Sequence, residues 1–217
     1  HITDLGAPSA NMYGMHGKDQ TLCQKCKRPS CLFPGKCKNL NDSHVRLTKL
    51  YEKAERIPGI KRVTIGSGIR YDLLQGAEGE KEYITQLIRK HVSGRLKVAP
   101  EHTEDAVLKC MRKPSFQLFE KFKTTFDDLN QKYGLREQII PYFISSHPNC
   151  RPQDMRKLEQ QLRSMHLMPE QVQDFTPTPM TLSTVMFYTG VNPYTMEPVF
   201  SAKSKAEKDE QKSFFFW

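Results

Sequence analysis

Apolar residues return along this chain with two alternating periods. Leu47, Leu50, Tyr51 and Ala54 recur at i, i+3, i+4 and i+7, which places them on one face of a helix that Pro58-Gly59 ends. The β-branched run Arg62-Val63-Thr64-Ile65-Gly66-Ser67-Gly68 then predicts a buried strand. Tyr83, Ile84, Leu87 and Ile88 mark a second helix over 79–91, and Leu96-Lys97-Val98-Ala99 a strand that ends at Pro100-Glu101-His102. Thr103 is placed to cap a third helix, with Glu104 and Asp105 in the first turn, where carboxylates favour the helix dipole. Lys113-Pro114 breaks it.

From Ser115 a longer helix carries Phe119, Phe122, Phe126, Leu129 and Tyr133, spaced three and four apart, an aromatic stripe expected to face the core. Gly134 fits its C-terminal end. Residues 138–145 predict a strand, with Pro141 at a bulge or a missing ladder bond. Pro152 suits the first turn of a helix that buries Met155, Leu158, Leu162 and Met165. Residues 171–175 and 184–188 predict two further strands, and the charged stretch 201–213 predicts a solvated linker. The first five residues read as the end of another buried strand.

Strand–helix alternation of this kind argues for parallel βαβ units in an α/β fold. Polar and bend-forming residues gather where the strands end: Gly6 to Asn11, Ser67 to Tyr71, Glu101-His102, Ser145 to Pro148 and Thr176 to Pro179. In a parallel α/β sheet or barrel those ends share one rim, where ligands sit. The pattern therefore points to a site, without naming a reaction.

Hydrophobic residues make up 37% of the 217, enough for a real core. No apolar run approaches the roughly 20 residues of a membrane helix. Six cysteines without a secretory signal suit a reducing, cytoplasmic setting. The chain opens on His1 rather than Met and closes on Phe214-Phe215-Phe216-Trp217, so it reads as a piece of a longer protein. An unpaired sheet edge would make such a piece poorly soluble or partly unfolded by itself. The net charge of +9 fits a generally basic surface, with RNA contact as the alternative.

Four of the cysteines fall within residues 23–37, as Cys23, Cys26, Cys31 and Cys37, spaced C-x2-C-x4-C-x5-C. Four thiolates on a turn-rich segment suit a soft metal, and the surrounding Lys18, Lys25, Lys27, Arg28, Lys36 and Lys38 favour the thiolate form. The spacing does not separate zinc from iron, and a disulfide-stapled loop or free thiols remain the plain alternatives. Cys110 and Cys150 read as an ordinary helix-face thiol and a loop thiol.

Several stretches together resemble the YgiQ-type family of radical S-adenosylmethionine proteins. They are residues 4–13 (DLGAPSANMY), Cys26 to Cys31 with Cys37, 66–72 (GSGIRYD), 96–104 (LKVAPEHTE), 141–148 (PYFISSHP) and 171–179 (QVQDFTPTP). The resemblance spans residues 2–195. It implies a parallel TIM-type partial barrel, about five βα units of a six-unit radical SAM barrel, interrupted by the cysteine-rich insertion. On that expectation residues 1–200 form the barrel portion, with the metal-binding loop at 14–42, and 201–217 lead into a further C-terminal region. The implied cofactors are a [4Fe–4S] cluster and S-adenosylmethionine, whose cleavage yields a 5′-deoxyadenosyl radical that acts on an unknown substrate. An electron donor such as flavodoxin is the implied partner.

The family's C-x3-C-x2-C motif for the radical-generating cluster does not occur here. The first unit is therefore expected upstream of His1, and the four-cysteine loop becomes a second site, an auxiliary iron–sulfur cluster or a structural zinc. By analogy Gly6 and Pro8 fall where the methionine amino group is held, although the usual Gly-Gly-Glu signature is absent. Ser67, Gly68 and Arg70 are candidates for the methionine carboxylate or ribose, with a surface ion pair the alternative for Arg70. Glu101, His102 and His147 are the candidate catalytic residues. His147 has an equally simple alternative as a hydrogen-bond partner of its own loop. The rival function is a non-catalytic, zinc-stabilised module whose basic surface contacts RNA.

Overall fold

The computed structural model describes residues 1–6 and 9–215. It is a mixed α/β chain that separates into two compact units, residues 1–99 with 117–140, and residues 100–116 with 141–217. The three-stranded sheet has the order β3-β4-β5, with β3 at Arg95–Glu101, β4 at Gln138–Ser145 and β5 at Val172–Asp174. β5 runs parallel to β4, pairing Val172 with Phe143 and Asp174 with Ser145. Parallel pairing of consecutive strands around helix α6 (Pro152–Ser164) agrees with the βαβ pattern of the sequence.

In the first unit, α2 (Val45–Glu55) buries Leu47, Tyr51 and Ala54, the face that the periodicity marks. It packs with α3 (Glu80–Gln86), whose Tyr83 and Ile84 are buried. α3 continues through a π-turn at Leu87–His91 that buries Leu87, Ile88 and His91. α5 (Gln117–Tyr133) buries Phe119, Phe122 and Phe126, and Tyr71 stacks on the Phe122 ring at 5.9 Å. Each such fully buried ring or aliphatic side chain contributes about 1.5–3 kcal/mol. The run 62–68, expected as a strand, carries among the described residues only isolated parallel bridges nearby, Ile2 to Val63 and Ile69 to Val98. Gly66 and Gly68, with no side chains to pack, weaken a ladder there.

In the second unit, α4 (Asp105–Cys110) buries Val107 and Leu108, and α6 buries Met155, Leu158 and Leu162. Thr103 does not cap α4; Glu104 holds the N-cap position, and the Thr103 hydroxyl is buried without a partner. Residues 184–188, expected as a strand, lie inside helix α7 (Leu182–Thr189). Caps decide the matter: the Thr181 hydroxyl accepts from the Thr184 N–H, and Gly190 closes the helix in the left-handed region. The stretch 201–213 is likewise no solvated linker. It holds α8 (Lys205–Lys212), opened by a capping box between Ser204 and Glu207. Among the described residues no helix is long and apolar enough to cross a membrane.

Candidate functional site

The strand ends of the second unit carry the densest chemistry. β3 ends at Glu101 and β4 at Ser145, and the residues there, Glu101 and Ser146, both adopt positive φ, +68° and +61°. That conformation strains a side chain other than glycine and persists only where the surroundings fix it. After each strained residue comes a buried histidine. His102 has no exposed surface and His147 has 3%.

The turn from Ser146 to Cys150 is fixed from several sides. The Ser146 N–H donates to Gln211 Oε1 at 2.7 Å, and the Cys150 N–H to the His147 carbonyl at 2.8 Å. The Asn149 N–H donates to the Phe200 carbonyl at 2.7 Å, and its side-chain amide to the Ala106 carbonyl at 3.2 Å. Gln211 enters from α8 and also donates to the Cys150 carbonyl at 2.8 Å. Asp174 at the end of β5 accepts the Ser145 hydroxyl at 2.9 Å and pairs with Lys212 at 2.8 Å.

These contacts settle the tautomers. The Glu104 N–H donates to Nδ1 of His102 at 3.0 Å, so the ring proton sits on Nε2, 3.5 Å from Cys150 Sγ. The Cys150 thiol in turn faces Gln211 Oε1 at 3.2 Å. His147 is arranged the other way. Its Nδ1 donates to the Pro148 carbonyl at 2.8 Å, leaving Nε2 to accept from the Ser183 hydroxyl at 2.8 Å. Burial, with the charge of His147 adding to it, pushes His102 down to about 3. Burial also pushes His147 down to about 4, against the bond to the Pro148 carbonyl. Burial drives the Cys150 thiol up to about 12. At neutral pH all three groups are uncharged. Glu101 is not aimed at them by an ion pair of its own; its carboxylate pairs with Lys113 at 3.0 Å.

The cofactor candidates of the first unit make a separate set. Pro8 lies outside the described residues. Ser67 donates its hydroxyl to Asp4 Oδ2 at 2.6 Å, and the Gly66 N–H donates to Asp4 Oδ1 at 3.0 Å. A Cβ on Gly6 would meet Asp4 Oδ1 at 2.9 Å and Ser67 Oγ at 3.0 Å, so a side chain there would push against this pair. Gly68 contributes its carbonyl, which accepts from the Ala10 N–H at 3.0 Å. Arg70 forms a two-pronged ion pair with Asp72, the plainer of its two expected roles. Asn11, fully buried, holds Arg70 by both backbone groups, accepting its N–H at 2.7 Å and donating to its carbonyl at 2.9 Å. The group best presented to a ligand here is Asp4. Its exposed carboxylate is held below the usual range because the bonds from Ser67 and Gly66 outweigh desolvation.

The cysteine loop is framed by the antiparallel pair β1 (His16–Gly17) and β2 (Leu40–Asn41). Cys23 rides on the short helix α1 (Gln20–Gln24), capped by Asp19. All four thiols are free, with Cys23, Cys26 and Cys31 exposed and Cys37 half-buried. Asn39 donates to Cys23 Sγ at 3.3 Å and the Arg28 N–H to Cys26 Sγ at 3.5 Å. Arg28 also reaches the carbonyls of Ser30, Phe33 and Gly35, so a cation occupies the middle of the loop. The donor set is what a soft metal takes, in kind and number. Among the described residues, however, no three His, Cys, Asp or Glu side chains converge on one point.

Ser183 and Gln211 were not marked by the sequence, and Asp4 and Asn11 lay within the marked stretch 4–13 without a role of their own. Gln211 sits in a run of charged residues, and nothing in its spacing distinguishes it. Ser183 is half-buried on a segment whose β-branched content points to a strand.

Residues 170–217 match a family model described as Domain of unknown function (DUF3362). The chain is similar over its whole length to a UPF0313 protein of Bacteroides thetaiotaomicron, 55% identical over 224 residues and covering 36% of that relative. A UPF0313 protein of Porphyromonas gingivalis is 51% identical over 224 residues, again over the whole chain and 35% of the relative. One from Methanocella arvoryzae is 45% identical over 95% of the chain and 34% of the relative. The chain thus spans about a third of the length of the curated relatives it matches. No solved structure matches it.

Proposed function

We propose that the chain is part of a radical S-adenosylmethionine enzyme, and that the strand-end turns at Glu101-His102 and Ser146-His147 face its substrate. The observation that carries the site is the repeated pairing of a strained residue with a buried neutral histidine at consecutive strand ends. Stored strain and desolvated titratable groups concentrate where ligands are handled. The class of chemistry comes from the resemblance to YgiQ-type proteins. When bound, the cluster and S-adenosylmethionine would supply a radical able to take hydrogen from a substrate.

The chain's own residues have narrower tasks. The oriented Asp4 carboxylate suits an ammonium group, in the place where Gly6 lets a ligand approach. His102 and His147, neutral, of fixed tautomer and bonded at both ring nitrogens, would hold the two turns in shape without adding charge. Cys23, Cys26, Cys31 and Cys37 would hold the second metal, with the Arg28 guanidinium displaced from the loop as they close.

Two measurements test this. The full-length protein, reconstituted anaerobically with iron and sulfide and then reduced, should convert S-adenosylmethionine to 5′-deoxyadenosine; absence of that product from a cluster-loaded protein overturns the reading. This chain, offered iron, sulfide and zinc together, should bind stoichiometric metal that Cys31→Ala and Cys37→Ala both abolish. Iron with matching sulfide means an auxiliary cluster, zinc alone a structural clip. Tight, salt-dependent RNA retention by a zinc-loaded protein without S-adenosylmethionine cleavage would favour the binding module instead.

A further inference from the structure

The contact between the Ser183 hydroxyl and the His147 ring is one that the radical reading does not use. Ser183 is the second residue of α7 and is half-buried. Behind it lies His147, 3% exposed, whose Nε2 is 2.8 Å from the Ser183 hydroxyl. The Pro148 carbonyl takes the Nδ1 proton at 2.8 Å, so the nitrogen that faces Ser183 carries a lone pair. A serine hydroxyl, a neutral base within hydrogen-bond reach and a fixed acceptor behind the base are the parts of an activated nucleophile.

The surroundings supply the remaining requirements. As first-turn amides, those of Leu182 and Ser183 have no carbonyl within their own helix, which leaves them able to donate to a developing oxyanion. Phe187, one helical turn beyond Ser183, packs on Phe175 at 5.8 Å, and the Phe175 ring meets the edge of His147 at 5.0 Å. The pair therefore stands beside an aromatic wall, which suits an apolar acyl group.

We propose that Ser183 is a nucleophile for carboxylic esters with an apolar acyl group, and that His147 is its general base. The Ser183 oxygen forms a bond to the ester carbonyl carbon while its proton passes to Nε2 of His147. The carbon–oxygen bond to the alcohol breaks, and the alcohol leaves with that proton. Water then attacks the acyl-serine in the same way, releasing the acid and restoring Ser183. Ester and water are consumed, acid and alcohol are formed, and no oxidant or other cofactor enters.

The test treats the full 217-residue chain with an alkyl fluorophosphonate and maps the adduct by mass spectrometry. Attack by Ser183 forms an oxygen–phosphorus bond and expels fluoride, and its proton again goes to His147. A single adduct on Ser183 is expected, absent from Ser183→Ala and retained in Thr184→Ala. Loss of the base in His147→Gln should slow labelling by roughly 10²-fold or more. Should His147→Gln fail to fold, Ser183→Cys replaces it: the introduced thiol should react with iodoacetamide faster than the thiol of Cys110. A folded chain with no adduct on Ser183, an equal labelling rate without His147, or an introduced thiol no faster than Cys110 each overturns the proposal.

Discussion

The side-chain amide of Gln211 is bonded to Cys150 through its backbone: Nε2 donates to the Cys150 carbonyl at 2.8 Å, while Oε1 accepts from the Ser146 N–H at 2.7 Å. Gln211 is fully buried although α8 is otherwise a charged helix. Replacing it with alanine leaves two buried backbone groups unpaired, at about 1–3 kcal/mol each. Gln211→Ala should lower the melting temperature and speed amide exchange across α8 and the 146–150 turn. Unchanged exchange in the turn would show that α8 does not hold it.

Stability should fall with acid in a defined window. His44 and His147 are each pushed down to about 4 by burial, and His102 to about 3. The unfolded chain binds these protons near the ordinary histidine value, so it takes them up first as pH drops. The favourable contribution is complete above pH 6.5 and lost progressively toward pH 4 for His44 and His147 and toward pH 3 for His102. The slope approaches about 1.4 kcal/mol per pH unit for each histidine while all three remain neutral in the folded state. Denaturant melts at pH 7.5, 6 and 5 should show a decline that His44→Gln makes shallower; flat stability down to pH 5 would contradict it.

Asn11 ties the turn after the first extended segment to Arg70 by both backbone groups. Asn11→Asp keeps the acceptor for the Arg70 N–H but puts a second acceptor against its carbonyl. It should therefore destabilise by more than about 1 kcal/mol, the net worth of an ordinary hydrogen bond. An equilibrium melt of the two variants Asn11→Asp and Asn11→Ala, both below the wild type, is the expected result.

Two glycines with similar backbones separate strain from space. Gly76 (φ +71°) has open room around a Cβ, whereas at Gly79 (φ +76°) a Cβ would lie 2.9 Å from Val45 Cγ2. Gly76→Ala should cost only the left-handed strain of about 1–2 kcal/mol. Gly79→Ala should cost more, and Val45→Ala should recover part of the excess, the Val45 backbone nitrogen at 3.2 Å remaining. Equal effects of the two substitutions would remove the packing argument.

Helices were the most readable part of this chain. The stripes at Leu47 to Ala54 and Phe119 to Phe126 are the faces that the structure buries, because a repeated three-and-four spacing has only one fold consequence. β4 was readable to its ends for a similar reason, an apolar run longer than any turn allows. Propensity misled where two states compete locally, as at Thr184–Tyr188, where it favours a strand and the Thr181 and Gly190 caps impose a helix. His102 and His147 were readable as polar residues just after apolar strands, but their burial was not, since such residues are hard to explain as core and the structure buries both. Their partners were not readable either, because Ser183 and Gln211 come from elements 36 and 65 residues away from the residues they bond.

The left-handed turns at Glu101 and Ser146 reach beyond stability into which substitutions this protein can accept. A saturation library at Ser146 should rank the twenty amino acids by tolerance of backbone handedness before any ordering by size or charge. Glycine, asparagine and aspartate head such a ranking, and valine and isoleucine close it. Each strand end is thus a gate on the chain's future variation: chemistry can be explored at His102 and His147 only within sequences that first satisfy the residue before them.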